Sequence, residues 1–173
     1  MDAIRAQLAA DHRVLDDLFC RLLRDVNALS HHDLQLAWCE LEHRLLSHID
    51  VEEQFLLPLV TASHQQAVER ARAEHQHIRG LVCTLGRAIE LNSAREPAIR
   101  ELMQILHRHA EQEDRSLYRF ACERASVAVQ SRMASTLRSA ARSAHEAALR
   151  MSANRAPASA ASPPLAEDLR KQA

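Results

Sequence analysis

Six polar side chains interrupt helical stripes that are otherwise apolar. Two of the histidines have a glutamate four residues further on, and this spacing places both side chains of a pair on the same helical face. Burying an unpaired imidazole or a carboxylate costs several kcal/mol, and a whole domain is stable by only about 5–15 kcal/mol. The sequence therefore predicts that these groups compensate one another or share a cation. The six residues are His12, His48, Glu52, His75, His109 and Glu113.

All six groups are expected at one depth of the fold. With a rise of about 1.5 Å per residue, their distances from the interhelical turns place them in a layer roughly one helical turn thick. A lone histidine on an apolar stripe is more often an ordinary core residue, but four imidazoles and two carboxylates in one layer favour a metal site. Carboxylates can bridge two cations, and imidazole suits iron, zinc, copper or nickel.

Four amphipathic helices are needed to position this layer. The apolar periodicity predicts helices over about 3–27, 31–57, 64–91 and 97–124. Ser30 and Ser63 each have capping-box spacing, Pro97 suits a first helical turn, and Pro58 lies where the second helix should end. Short connections make consecutive helices antiparallel neighbours, so we predict an all-α, up-down-up-down four-helix bundle.

The two halves of this bundle repeat one another. DHRVLDDL at 11–18 matches EHQHIRGL at 74–81, and LLSHIDVEEQFLLP at 45–58 matches ILHRHAEQEDRSLY at 105–118. Each half contains a helix with one stripe histidine, followed by a helix with His-x-x-x-Glu. The halves are therefore expected to be nearly superimposable hairpins.

This pattern resembles the hemerythrin-like (HHE cation-binding) family over about residues 8–120. The resemblance implies that His12, His48, Glu52, His75, His109 and Glu113 hold two iron ions as a non-haem di-iron centre, with both glutamates bridging. It also implies that an open position takes up dioxygen or nitric oxide. Oxygen-carrying hemerythrins have a fifth histidine four residues from the third-helix one, where this chain has Ala71 and Arg79. The chain is more similar to the four-histidine, two-glutamate branch, which includes bacterial proteins linked to nitric oxide stress and iron–sulfur repair.

Two functions follow from this resemblance. The first is a di-iron protein that binds or senses dioxygen or nitric oxide. The alternative is a redox-active or iron-handling protein, which turns over peroxide or nitric oxide or donates iron for repair of iron–sulfur centres. A ferritin-like site is a rival because two Glu-x-x-His strings occur, Glu40–His43 and Glu74–His77, although Glu40 and His43 lie off the stripe. Glu53 and Asp114 could orient groups behind the ligands, but such acids more often face water, and this is the expectation here. Tyr118 could donate a hydrogen bond near the site, but a packed ring with a wet hydroxyl is favoured.

The remaining features concern domains and surroundings. We predict the bundle over 1–125, an appended Ala/Arg/Ser-rich helix over 126–151 and a disordered tail over 152–173. Residues 1–123 carry 14 arginines and 20 acids, an excess of six negative charges that argues against a nucleic-acid partner. No apolar run of membrane-spanning length occurs. The four cysteines form no C-x-x-C pair, which is typical of reduced core cysteines in a cytoplasmic protein.

Overall fold

The computed structural model describes residues 3–26 and 30–153, and this part of the chain is helical apart from short turns, without strands. Two π-helical turns, Glu52–Leu56 and Asp114–Tyr118, extend the second and fourth helices of the bundle without a break. The predicted all-α bundle is confirmed. Its helices are α1 (Ala3–Asp25), α2 (His31–Val51), α3 (Leu57–Val60), α4 (Gln65–Glu90), α5 (Glu96–Glu113), α6 (Arg119–Arg124) and α7 (Val127–Ala153).

Two of the predicted helix boundaries are correct and two are wrong. The Ser30 side chain caps α2 by accepting a hydrogen bond from the Asp33 backbone, and Pro97 lies in the first turn of α5. Ser63 does not cap α4, because its hydroxyl bonds to the Val60 carbonyl instead. Pro58 does not end the second helix. It lies in the first turn of α3, after the π-helical turn, where a helix does not require its N–H.

The polar layer divides the apolar core of the bundle into two clusters. One cluster contains Leu15, Leu45 and Ile78, and the other contains Leu8 and Leu117. In α1, Leu8 and Leu15 lie about one turn before and one turn after His12, so the histidine falls between the clusters. Helices α1, α2, α4 and α5 pack around this core as neighbours in a closed ring. The chain therefore surrounds the polar layer with apolar packing on both sides.

Helix α7 packs mainly along α2 and also contacts α1. Met133, Leu137 and Ala144 are buried on its inner face, and Met133 and Leu137 belong to the second core cluster. The helix extends past the expected boundary at 151 to Ala153. The predicted tail otherwise lies outside the described residues.

The cysteines do not occupy the core as the sequence suggested. All four are free thiols, with Cys20 and Cys83 exposed and Cys39 and Cys122 half-buried. Within residues 3–26 and 30–153, no helix is long and apolar enough to cross a membrane.

Candidate metal centre

The structure brings the six sequence-predicted residues together in two overlapping groups. One group contains Glu52, His75, His109 and Glu113, and the other contains His12, His48 and Glu52. Within each group the potential ligand atoms all lie within 4.8 Å of one another. Glu52 belongs to both groups and is completely buried, whereas His12 is half-buried. The arrangement therefore has two halves that share a carboxylate.

A π-helical turn accompanies each carboxylate. The turn Glu52–Leu56 begins at Glu52, and the turn Asp114–Tyr118 begins directly after Glu113. Such turns insert one extra residue into a helix and occur frequently at functional sites. The presence of one turn in each half shows that the repeat extends to the backbone around the cluster.

The His48 ring is held by a carboxylate on α1. Its Nδ1–H donates to Asp11 Oδ2 at 2.8 Å, and Arg44 donates to Asp11 Oδ1 at 2.7 Å. A carboxylate can only accept, so the neutral His48 ring must carry its proton on Nδ1 and a lone pair on Nε2. That Nε2 lies 3.2 Å from Glu52 Oε1 and has no hydrogen-bond partner within residues 3–26 and 30–153.

The other two deeply buried histidines follow the same rule. His75 Nδ1–H donates to Glu53 Oε1 at 2.9 Å, and His109 Nδ1–H donates to Glu74 Oε2 at 2.8 Å. Their Nε2 atoms are 3.1 Å apart, inside the cluster. Histidines that ligate metals are typically oriented in this way by a carboxylate on the far nitrogen.

Tyr118 joins the two glutamates. Its buried hydroxyl donates towards Glu52 Oε1 and towards Glu113 Oε2, the latter at 2.9 Å. The wet hydroxyl expected from the sequence is therefore wrong, because the ring is only 1% exposed. The remaining carboxylate atoms, Glu52 Oε2 and Glu113 Oε1, have no hydrogen-bond partner in the described part of the chain and lie 3.4 and 3.6 Å from His75 Nε2.

The electrostatics of the cluster show a shortage of positive charge. Burial lowers the pKa of His48, but Glu52 and Asp11 outweigh it and raise the pKa to about 10. The pKa of His75 is likewise raised to about 10, because Glu113 and Glu52 outweigh its burial. Burial and the charge of Glu52 raise the pKa of Glu113 to about 6. In the absence of another cation, the buried negative charge therefore favours protonation of His48, His75 and Glu113.

His12 is the exception. Burial and the neighbouring His48 lower the pKa of His12 to about 4, so this ring is neutral near pH 7. Its ring packs against His48 with centroids 4.6 Å apart. No carboxylate among the described residues accepts a hydrogen bond from this ring.

The donor set fits metal cations. Nitrogen atoms of buried imidazoles and oxygen atoms of buried carboxylates converge on one space. Hydrogen bonds from the Nδ1 atoms of His48, His75 and His109 orient the Nε2 atoms of these rings towards that space. Such atoms without donors are costly, and a bound cation removes that cost. The set of nitrogen and oxygen donors suits iron and other transition metals.

Sequence reasoning missed two of the supporting acids and misjudged a third. Asp11 and Glu74 were not singled out as partners of the cluster, although each directly precedes a stripe histidine in its half of the repeat. Glu53 was interpreted as facing water but bonds to His75. Asp114, read in the same way, forms a surface ion pair with Arg5.

The ferritin-like reading is not supported by the geometry. Glu40 pairs with Arg21 on the surface at 2.6 Å, and His43 is exposed. His77 is also exposed, although its companion Glu74 supports His109. Neither Glu-x-x-His string therefore brings both of its side chains into the cluster.

A small cavity of about 220 Å³ opens beside one part of the cluster. It reaches His12, His48 and His109, and its mouth carries the exposed ion pair of His107 and Asp16, at 2.7 Å. The cavity is large enough for a diatomic molecule. Its apolar walls are formed by Leu15, Phe19, Leu45, Ile49, Leu106 and Ala110.

The fold and this buried cluster define a cation-binding helical bundle. The family model of the hemerythrin HHE cation-binding domain matches residues 3–121, which cover most of the chain, and the protein belongs to this family. No curated protein and no solved structure gives a significant match.

Proposed function

We propose that the chain is a non-haem di-iron protein that binds or senses dioxygen or nitric oxide. His12 and His48 would hold one iron ion, His75 and His109 the other, and Glu52 and Glu113 would contribute carboxylate oxygens to both. The observation that carries the proposal is the convergence of buried nitrogen and oxygen atoms without hydrogen-bond partners among the described residues, His48 Nε2, Glu52 Oε2 and Glu113 Oε1, beside a small apolar cavity. In this proposal residues 1–125 form the metal-holding unit, and 126–151 are an appended helix.

Two ferrous ions would supply open coordination positions and electrons for a small ligand. The surrounding residues have separate tasks. Asp11, Glu53 and Glu74 orient the three buried rings. Tyr118 donates towards Glu52 Oε1 and Glu113 Oε2, the oxygens that lie 3.2 and 3.3 Å from the Nε2 atoms of His48 and His109, and so helps to orient both glutamates. The apolar cavity excludes charged solutes from this space and admits an uncharged diatomic molecule.

The cavity favours access at the half that contains His12 and His48. Both of these histidines line it, whereas only His109 of the other half does, and His75, Glu52 and Glu113 do not. His12 is also the least enclosed of the four rings. A small ligand is therefore expected to arrive on this side.

Oxygen-carrying relatives have a fifth histidine four residues from the one on the third helix, and the two such positions here are Ala71 and Arg79. Arg79 donates to Glu53 at 2.7 Å and to Asp50 at 2.6 Å, so it supports His75 indirectly and supplies no ligand. The second half therefore offers two histidines, as the first half does. This equality supports reading the centre as a four-histidine site.

The test is a gas titration of the anaerobic, ferrous protein followed by removal of the gas. Purified full-length protein should contain about two iron ions per chain, and nitric oxide or dioxygen should change its absorption spectrum. A binding or sensing protein returns to the ferrous spectrum after gas removal without added reductant. Continuous consumption of nitric oxide or peroxide, or loss of iron to a chelator on exposure, would instead establish the redox or iron-handling alternative.

A further inference from the structure

A second, larger cavity is lined by different residues of α2 from the cluster's small cavity. It has a volume of about 580 Å³ and forms a groove between α2 and α4, running from Gln35 and Ile89 to Asp50 and Arg79. At about 1.5 Å per residue along α2, its length is roughly 22 Å. None of the six candidate ligands lines it.

The wall of this groove contains an unsatisfied donor. Trp38 is only 4% exposed, and its indole Nε1–H has no hydrogen-bond partner in the described chain. The Glu42 carboxylate lies close enough for the indole to help lower its pKa, but the two groups do not form a hydrogen bond of ordinary geometry. A buried donor without an acceptor costs about 1–3 kcal/mol, so the groove favours an occupant that brings a carbonyl oxygen.

Gly86 lies directly beside that donor. A Cβ at this position would lie 3.1 Å from the Trp38 nitrogen, which is closer than most side-chain contacts. The glycine therefore lets the indole pack closely against the backbone of α4. A larger residue here would crowd the indole and the groove beside it.

The charges along the groove are mainly negative once existing pairs are considered. Arg79 is already paired with Asp50 and Glu53. Of the other charged residues that line the groove, Glu42 and Glu90 are negative and Arg87 is positive. Burial, and to a smaller extent the charge of Glu90, raise the pKa of Glu42, although His43 and Trp38 oppose them. A cation near these two carboxylates is therefore favourable.

The end of α7 lies at this groove. Met151 is one of its lining residues, and α7 ends two residues later at Ala153. The sequence continues with 20 more residues, NRAPASAASPPLAEDLRKQA. Their second residue is a cation, Arg155, and they contain three prolines among small residues. Pro-rich segments dock in grooves lined by aromatic side chains. At about 3.1 Å per residue in such an extended form, roughly seven residues span the groove.

We propose that residues 154–173 of the same chain dock in the groove between α2 and α4. A backbone carbonyl of this segment accepts the Trp38 indole hydrogen bond, and Arg155 lies against Glu42 and Glu90. Small Ala and Ser side chains fit past Gly86. The segment starts at the groove, is long enough to fill it and carries the charge and the acceptors that the groove lacks.

Maleimide labelling of the native cysteines, followed separately at each thiol, tests the proposal in the complete chain. Cys83 is exposed and lines the groove, whereas Cys20 is exposed on α1 away from it. Labelling rates at both thiols are read by mass spectrometry of peptides, with Cys20 as the internal control. The comparison protein has residues 154–173 replaced by a Gly/Ser segment of equal length.

The Gly/Ser segment should raise the Cys83 labelling rate roughly threefold or more, since labelling follows the population of the open groove, and should leave Cys20 unchanged. Arg155→Glu and Trp38→Phe, which keeps the ring and removes the N–H, should raise the Cys83 rate in the same way. Equal Cys83 rates in all four proteins would overturn the proposal. So would a rate that increases on dilution, because a second copy or another partner would then fill the groove. A parallel rise at Cys20 in a variant indicates general loosening of the fold and would also count against docking.

Discussion

The two halves of the bundle share a pattern of support that holds at three histidines and fails at one. Asp11 supports His48 on the following helix, and Glu74, its counterpart in the repeat, supports His109. Glu53 likewise supports His75. Its counterpart Asp114, one methylene shorter, pairs with Arg5 instead. His12 therefore lacks the carboxylate that the repeat predicts.

This difference divides the centre into a firmly held part and a more accessible part. Repetition supplies two similar hairpins, but a single shorter acid and a surface arginine are enough to separate their chemistry. The histidine without a carboxylate is also the one that is half-buried and lines the small cavity. We therefore expect variants to affect the halves unequally, except at residues that both halves share.

The largest effect is expected at Glu52, which belongs to both halves. Glu52→Gln keeps the size of the side chain but removes the charge, and we expect iron content to fall from about two ions to below one per chain. Elemental analysis of the purified protein measures this loss. The matched control is Glu40→Gln on the same helix, which should retain its iron because Glu40 only pairs with Arg21 on the surface. Retention of both ions in Glu52→Gln would exclude the shared carboxylate.

A smaller loss is expected when one half is damaged. His48→Ala should remove about one of the two ions and leave His75 and His109 able to hold the other. His43→Ala, one turn earlier and exposed, should change nothing. Equal losses in the two variants would show that the assigned helical face is wrong.

Substitution of the supporting acids compares the halves more finely. Asp11→Asn should weaken metal affinity by about 10–100-fold, the usual effect of losing such a partner. Asp11 is buried and also held by Arg44. Glu74→Gln should have a smaller effect, because the Glu74 side chain is 34% exposed and forms no ion pair with an arginine among the described residues. Competition with a chelator of known affinity measures both changes, and the reverse order would refute the argument from burial.

The mildest test uses pH on the metal-free protein. Unfolded histidine titrates near pH 6.5, and the folded pKa values of His48 and His75 are about 10. The folded state therefore binds more protons between these values, and the free energy of unfolding should fall as the pH rises from 7 to 10. Urea unfolding at several pH values measures this. The metal-loaded protein should show a weaker dependence, since metal ions replace these protons; a free energy that rises with pH would contradict the assignment.

Much of the fold and the six central residues could be predicted because helical periodicity is a local signal. His48 and Glu52 share a face whatever the rest of the chain does, and the apolar stripe locates that face in the core. The capping of α2 by Ser30 is local in the same sense. Pro58 was misjudged because the π-helical turn before it changes the register, and no residue pattern announces such a turn.

The supporting partners could not be predicted because they depend on pairs between helices. Whether Glu53 reaches His75 or water depends on the position of Arg79, a residue of the facing helix. Asp114 occupies the position in the repeat that corresponds to Glu53, but it forms an ion pair with Arg5 instead. The repeat contained part of the signal, since Asp11 and Glu74 each precede a stripe histidine, but it does not tell which ring each acid contacts.

The central claim is that the six residues hold two iron ions, one in each half. Crystals of the full-length protein purified with its metal, measured on both sides of the iron absorption edge, test this directly. The account predicts two anomalous peaks, one bounded by His12 and His48 and the other by His75 and His109, with Glu52 between them. A single peak, a peak at another absorption edge only, or no peak within the cluster would contradict it.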